Sequence, residues 1–379
     1  MILFLYHFMG KVFPIDKKII LFESNSGRNY SGNPRYIYEE MVNQGLDRTY
    51  KCIWILEDRD TVIPGTAIKI KRSRMKYYYY FSIAGLWVFD NRQPDFIQKR
   101  PAVIYIQTWH GTPLKKLGLD MDKVAMEAEK DIKAYHNKFI KNSSTWDYLI
   151  SQNEFSTHIF RRCFAFQKEI LEIGYPRNDL LVREKENIST WKKKLGLPQD
   201  KKVILYAPTW RDDQYYGESS YKFATTMDFD KMLQELSDEY VMIVKYHYIM
   251  NDRIDWSPYK GFIYQFNETE DIAYLYLAAD YLITDYSSVM FDYSILERPM
   301  FFYAYDLENY RENLRGFYFD YFAYIPGPVS GTTEELLEQI KNYNSEEWKE
   351  RYTNFRNKFN AKDIGTAAAK VVSLIQEKR

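Results

Sequence analysis

Cysteine is scarce in this chain: Cys52 and Cys163 are the only two in 379 residues. Two thiols build neither a disulfide framework nor a Cys-rich metal site, and they suit a reducing cytoplasm. Net charge is absent as well, with 52 Lys and Arg against 52 Asp and Glu. No overall field then draws the chain to nucleic acid, and an anionic ligand must be held by local clusters. Neither Gly-x-Gly-x-x-Gly nor a Walker loop occurs, which disfavours a dinucleotide dehydrogenase and a P-loop NTPase. The apolar N-terminus, Met1 to Pro14, is only about half as long as a membrane span. It has no basic leader and no small-residue cleavage site, so a signal peptide is not expected. It reads either as a buried first strand or as a short interfacial anchor.

What is present is ordinary in bulk and unusual in aromatics. Apolar residues make up 46% and charged ones 27%, within the globular range, while aromatics reach 18% with 35 Tyr. Such rings suit wet clefts and membrane interfaces as well as cores. The length predicts two α/β domains.

Buried strands are predicted at Lys18–Glu23, Lys51–Leu56, Leu86–Asp90, Val103–Gln107 and Trp146–Ser151, with helical spacing between them, as at Arg35–Val42 and Glu154–Cys163. A polar loop, Ser24 to Pro34, makes the first strand-to-helix turn. Strands alternating with helices imply βα units and a parallel sheet. Val182 to Gln199 is charged and reads as the connection between residues 1–185 and 186–379. The second part repeats the alternation through Lys202–Tyr206, Tyr240–Val244, Tyr281–Ile283 and Met300–Tyr303. Two echoes link the halves: Val103–His110 with Val203–Arg211, and Asp147–Ser151 with Asp280–Thr284. They suggest two like-built Rossmann domains whose strand ends face one another across a cleft, with the last helix able to pack back on the first domain.

Chemistry is concentrated at strand ends. Val103 to Gln107 runs into Thr108-Trp109-His110-Gly111-Thr112-Pro113 and then Lys115-Lys116, so a strand delivers a histidine to a glycine turn. His247 follows a second strand in the other half. An imidazole near neutral pKa suits removal of a proton from an attacking hydroxyl, and a protonated one can stabilise phosphate charge. Ser287 and Ser288 sit where the strand Tyr281–Ile283 passes into a helix. There they either cap the helix or help its amides hold a phosphate. Lys115, Lys116, Arg211 and Lys245 could neutralise a diphosphate or form surface ion pairs. Neither histidine has a His or Cys companion at ligand spacing, so zinc is not expected. Asp212-Asp213 is either a solvated pair or a magnesium site.

Four motifs then carry a resemblance, in the same order: Thr108 to Lys116, Gly174-Tyr-Pro-Arg-Asn-Asp179, Ala207-Pro-Thr-Trp-Arg-Asp-Asp213 and Thr284-Asp-Tyr-Ser-Ser-Val-Met-Phe-Asp292. Together they resemble the CDP-glycerol glycerophosphotransferase family, the teichoic acid primases and polymerases of Gram-positive bacteria. The loop from Glu23 to Pro34 and the run Arg315-Gly316-Phe317-Tyr318 are similar to it too. The resemblance implies a glycosyltransferase-B-like pair of Rossmann-like domains with the active site in the cleft. It implies transfer of polyol phosphate from a CDP-activated donor to a hydroxyl of a lipid-linked teichoic acid precursor, with release of CMP and no cofactor. His110 and His247 match the family's motif histidines, and Arg211, Ser287 and Ser288 its donor-binding positions. Thr209 and Asp285 are expected beside the donor, and Gly111, Thr112, Lys115 and Lys116 at the phosphate or acceptor. Glycerol and ribitol donors, and teichoic acid and capsular acceptors, stay open. So does a non-catalytic scaffold at the membrane. With only Met1 to Pro14 ahead of the catalytic unit, a compact enzyme is expected, cytoplasmic and peripheral on the inner membrane face.

Overall fold

The computed structural model describes residues 2–122, 131–209, 215–217, 220–221, 227–245, 255–267, 270–306 and 316–378. Seven parallel strands form the first sheet: β1 (Asp16–Glu23), β2 (Lys51–Ile55), β3 (Ile68–Ile70), β4 (Ala84–Phe89), β5 (Ile104–Gln107), β6 (Tyr148–Ser151) and β7 (Glu169–Glu172). Their order is β3-β2-β1-β4-β5-β6-β7. The helices of this half are α1 (Ile2–Val12), α2 (Gly32–Asn43), α3 (Met75–Ile83), α4 (Ile132–Ser143) and α5 (Glu154–Cys163). Next come α6 (Asp179–Glu184) and α7 (Ile188–Lys194).

The second sheet contains β8 (Lys202–Tyr206), β11 (Tyr240–Val244), β12 (Ile263–Tyr264), β13 (Tyr281–Thr284), β14 (Met300–Tyr303) and β15 (Val329–Ser330), in the order β12-β11-β8-β13-β14-β15. A separate antiparallel pair, β9 (Tyr215–Gly217) and β10 (Ser220–Tyr221), stands outside it. Helices α8 (Phe229–Leu236), α9 (Ile272–Ala278), α10 (Val289–Tyr293), α11 (Tyr321–Tyr324), α12 (Thr333–Lys341), α13 (Ser345–Phe359) and α14 (Ala367–Glu377) complete the chain. The architecture is glycosyltransferase-B-like, two parallel-sheet α/β units in one chain.

Both sheets are covered on both faces, which is why their strands read as continuous apolar runs. Ile19 and Leu21 of β1 enter one core while Ile20 and Phe22 enter another. Val203 and Leu205 of β8 likewise separate from Ile204 and Tyr206. The period of two assigns alternate residues to opposite layers.

Sequence expectations change or sharpen at three places. The N-terminal segment is the helix α1, not a first strand; its Tyr6 and Met9 are buried against α3. The charged segment 182–199, between β7 and β8, is itself folded: Trp191 is buried in the second core and stacks on Tyr274 at 4.9 Å. The two echoes do not pair equivalent strands. By sheet position β8 corresponds to β1, and β13 to β4, whereas the echoes pair β8 with β5 and β13 with β6. Apolar β-branched runs resemble one another wherever strands are doubly covered, so short likeness carries no topology. The two halves are also interleaved. Val371, Val372 and Ile375 of α14 pack with Ile20, Phe22 and Met41 of the first half. Leu181 of α6 packs into the second core.

Candidate active site between the two sheets

In an open parallel sheet, ligands bind beyond the carboxyl ends of the strands, where the strand order reverses. In the first sheet that point lies between β1 and β4. Asp90, directly after β4, accepts hydrogen bonds from Ser24 Oγ at 2.6 Å and from the Asn25 amide at 2.9 Å. Gly32 closes this turn with φ +64°, and a Cβ there would lie 3.2 Å from both Asp90 Oδ2 and Ser24 Oγ. Burial pushes the Asp90 carboxyl up to about 7, against the pull of those two donors.

His110 stands on the next strand end. Trp109 before it takes φ +52°, a left-handed backbone costly for a bulky residue. The strain is held by anchoring on both sides. The indole packs on Phe160 and Phe164 and stacks with the His110 ring at 4.4 Å. Asn33 Nδ2 donates to the carbonyls of Thr108 and Trp109. His110 Nδ1 lies 3.0 Å from the Asp90 carbonyl. Nδ1 must carry the proton to donate there, so Nε2 keeps its lone pair. The residue is open on the cleft side and enclosed by protein on the others. Loss of bulk water holds the imidazole below its ordinary value; the Asp90 carbonyl opposes this, and Arg177 and Arg92 add to it.

The second sheet presents a matching corner between β8 and β13. Asp285, directly after β13, accepts the Thr209 amide at 2.8 Å, as Asp90 accepts that of Asn25. Thr284 Oγ1 donates to the Ala207 carbonyl beside it. Asp285 is 2% exposed, so its carboxylate organises the turn from within. Ser287 and Ser288 are half-buried at the start of α10; Ser288 makes no side-chain cap, and Ser287 only a long 3.4 Å contact to the Val289 amide. Gly111 meets this corner across the cleft: a methyl group on it would lie 3.1 Å from Ser288 Oγ.

The remaining expected residues divide. Thr112 is 2% exposed, and its hydroxyl donates to Gln152 and accepts from Asn153 and Ser156, so it serves the interior of the first half instead of a phosphate. Lys115 pairs by backbone with Phe317, and the Lys116 amide donates to the Gly316 carbonyl. Lys116 Nζ is 3.2 Å from Asp122, a surface ion pair. Both lysines therefore belong to a strap joining the His110 loop to residues 316–318. Arg211, His247 and the pair Asp212-Asp213 lie outside the described residues. Among the described residues no group of three His, Cys, Asp or Glu could hold a metal ion.

A cleft of about 440 Å³ runs between the halves, lined by Ser24, Asp90, His110 and Arg177 on one side and by Lys245 and Asp271 on the other. Two clasps hold its walls. Arg177 donates to the His110 carbonyl at 2.7 Å and pairs with Asp292 at 2.6 Å. Arg35 pairs with Asp271 at 3.1 Å and donates to Tyr274. Ser24, Asp90, Arg177 and the Arg35–Asp271 pair were not among the expected site residues. For Arg177 a signal existed, since Gly174 to Asp179 is one of the four motifs; for Asp90 a strand-end carboxylate carries none.

The chain matches the family described as CDP-Glycerol:Poly(glycerophosphate) glycerophosphotransferase over residues 5–377. It is 44% identical over 377 residues to the teichoic acid poly(glycerol phosphate) polymerase of Bacillus subtilis (strain 168), covering 97% of this chain and 50% of that protein. It therefore spans about half the length of that relative. To the protein of the same name from Bacillus spizizenii (strain ATCC 23059 / NRRL B-14472 / W23) it is 43% identical over 366 residues, covering 95% of this chain and 92% of the other. The structure of the wall teichoic acid polymerase TagF superposes with a TM-score of 0.92 at 42% identity, covering 99% of this chain and 92% of that one. By its motifs, its paired sheets and these matches, the chain belongs to the CDP-glycerol:poly(glycerophosphate) glycerophosphotransferase family.

Proposed function

We propose that the chain transfers glycerol phosphate from CDP-glycerol to a hydroxyl of a lipid-linked teichoic acid precursor, releasing CMP. The observation that carries the reading is the placement of His110: Nδ1 tied to the Asp90 carbonyl, the ring open to the cleft, and Gly111 against Ser288 of the opposite half. The relatives' names supply the polymer and the glycerol phosphate unit. Residues 1–185, with α14 packed back on them, form the acceptor side, and the rest of residues 186–379 the donor side.

In this reading Nε2 of His110 takes the proton of the acceptor hydroxyl. The resulting oxygen attacks the β-phosphorus of the donor in line, the bond to the bridging oxygen breaks, and CMP leaves. Arg211, His247 and the Ser287-Ser288 corner hold the diphosphate, with Thr209 and Asp285 shaping that corner. Positioning and charge stabilisation supply most of the rate. The test is CMP release from CDP-glycerol, with CDP-ribitol and UDP-glucose as separate arms and a lipid-linked acceptor present. His110→Ala is expected to lower turnover by about two or more orders of magnitude. An unchanged rate removes it as the base, and release from CDP-ribitol alone replaces the donor.

The chain works at the cytoplasmic face of the membrane as a peripheral protein, held by α1. No helix of the described residues is long and apolar enough to cross a membrane. Phe4, Phe8 and Val12, spaced four apart on the outer face of α1, are 77%, 54% and 56% exposed. An apolar stripe turned to solvent beside Lys11 is the pattern of an interfacial helix. Phe4→Ser/Phe8→Ser should lose sedimentation with phospholipid vesicles while its melting temperature stays unchanged; retained sedimentation refutes the anchor.

A further inference from the structure

A second cavity, of about 520 Å³, opens where α1, the end of α3 and the segment Gln98–Pro101 meet. It lies at the amino-terminal edge of the first sheet, before β4 and β5 begin, and so at the opposite end of the strands from His110. Its lining includes His7, Lys11, Lys99 and Arg100 and no carboxylate. In a chain of zero net charge this is a concentrated positive site. Lys99 is 3.0 Å from Asp147, but that aspartate also serves Lys168 at 3.0 Å, so one carboxylate faces two lysines. Arg100 is fixed by Nη1, which donates to the carbonyls of Phe13 and Ser82, both at 2.8 Å. A guanidinium has five N–H donors in a planar fork that fits phosphate oxygens, so Nε and Nη2 remain for a ligand. Tyr6 and Ser82 line it too, but their hydroxyls already donate to the carbonyls of Gln98 and Tyr79, so the cations are what it offers a ligand.

We propose that this cavity binds the phosphodiester headgroup of an anionic membrane lipid, with the acyl chains leaving along the Phe4–Phe8–Val12 face of α1. Charge complementarity argues for the phosphate, and the apolar stripe beside the cavity mouth argues for lipid over free phosphate. Basic residues flanking an interfacial helix add lipid-charge selectivity to apolar insertion. The proposal deepens the membrane reading and rests on it only for the source of the headgroup.

Soluble short-chain lipids test the cavity without a membrane. The full chain is titrated with dihexanoyl-phosphatidylglycerol, dihexanoyl-phosphatidylcholine and inorganic phosphate, each below its aggregation limit, by calorimetry. The phosphatidylglycerol is expected to bind at least about tenfold more tightly than either other probe, a difference of about 1.4 kcal/mol. Lys11→Glu, on the exposed side of α1, should abolish that preference while leaving melting temperature and CMP release in solution unchanged. Arg100→Gln should abolish the preference as well, with some loss of melting temperature because the carbonyls of Phe13 and Ser82 lose their donor, and Arg100→Lys should partly restore both, which covers the case of one variant failing to fold. Equal binding of both lipids, or of phosphate and phosphatidylglycerol, overturns the proposal, as does a preference that survives Lys11→Glu. Vesicle sedimentation of Phe4→Ser/Phe8→Ser reads the anchor separately: if it fails to respond while Lys11→Glu loses phosphatidylglycerol, the anchor falls and the cavity stands.

Discussion

At the scale of single residues, two titrating groups beside the cleft act with opposite sign. His110 sits below its ordinary value because burial and nearby cations disfavour its protonated form. As a base it is active when neutral, so the acid limb of kcat/KM should lie below the usual histidine range. Arg92 is exposed and contributes one of the cations. Arg92→Gln should move that limb upward; a limb that stays put or moves down removes Arg92 from the account. Asp90 is raised to about 7 by burial. A raised carboxyl withdraws stability as pH climbs from about 4, its ordinary range, through the folded value. Asp363, raised to about 6, acts with the same sign and persists in any Asp90 variant. Thermal melts of Asp90→Asn should therefore match wild type near pH 4 and exceed it at pH 8, with a flatter profile between. A variant less stable than wild type at pH 8 would show that the Ser24 and Asn25 hydrogen bonds require the charged form.

Apolar packing joins the halves away from the cleft, and buried ion pairs join the elements at its walls. The Arg177 side chain is 17% exposed and that of Asp292 6%, and Asn178 donates to the same carboxylate at 3.0 Å. Removing one partner leaves the other charge buried and unpaired, at a cost of about 3–5 kcal/mol. Arg177→Met should show that loss in urea unfolding, and Arg177→Met/Asp292→Asn should regain part of it. Equal losses in both would mean that Arg177 acts mainly through the His110 carbonyl. The helix starts were readable because they depend on a few adjacent residues: Asn153 caps α5 by accepting the Ser156 amide at 2.8 Å. The partner of Arg177 was not, because Asp292 lies 115 residues away and sequence spacing says nothing about which helix end it faces.

The whole molecule is interleaved. Asn153 Nδ2 donates to the Phe359 carbonyl, Gln152 Nε2 donates to Asp363, and α14 then packs on α2 and the first sheet. Asp179 receives the amides of Ala367 and Ala368 at the start of α14. Neither half is closed without a segment contributed by the other. Val372→Asp would bury a charge where the side chain is 0% exposed. The whole chain should then melt at lower temperature in one transition, with a loss of more than about 3 kcal/mol. Two separated transitions in calorimetry would show that the halves fold independently.

The sequence by itself determined what local chemistry controls: the strands, from runs that suit doubly covered sheets; the helices, from spacing and caps; the histidine at a strand end; and the family, from four short motifs. Tertiary structure alone decided which strand ends became neighbours. It showed that Asp90 and Asp285 are counterparts, each bracing the turn after the first strand of its sheet. It also turned Thr112 inward, tied Lys115 and Lys116 into a strap, and placed Gly111 on Ser288. The reason is physical: side-chain type and spacing act over a few residues, whereas strand order and the packing of one half on the other depend on contacts between distant parts of the chain, 65 residues apart for Asn25 and Asp90 and 115 for Arg177 and Asp292.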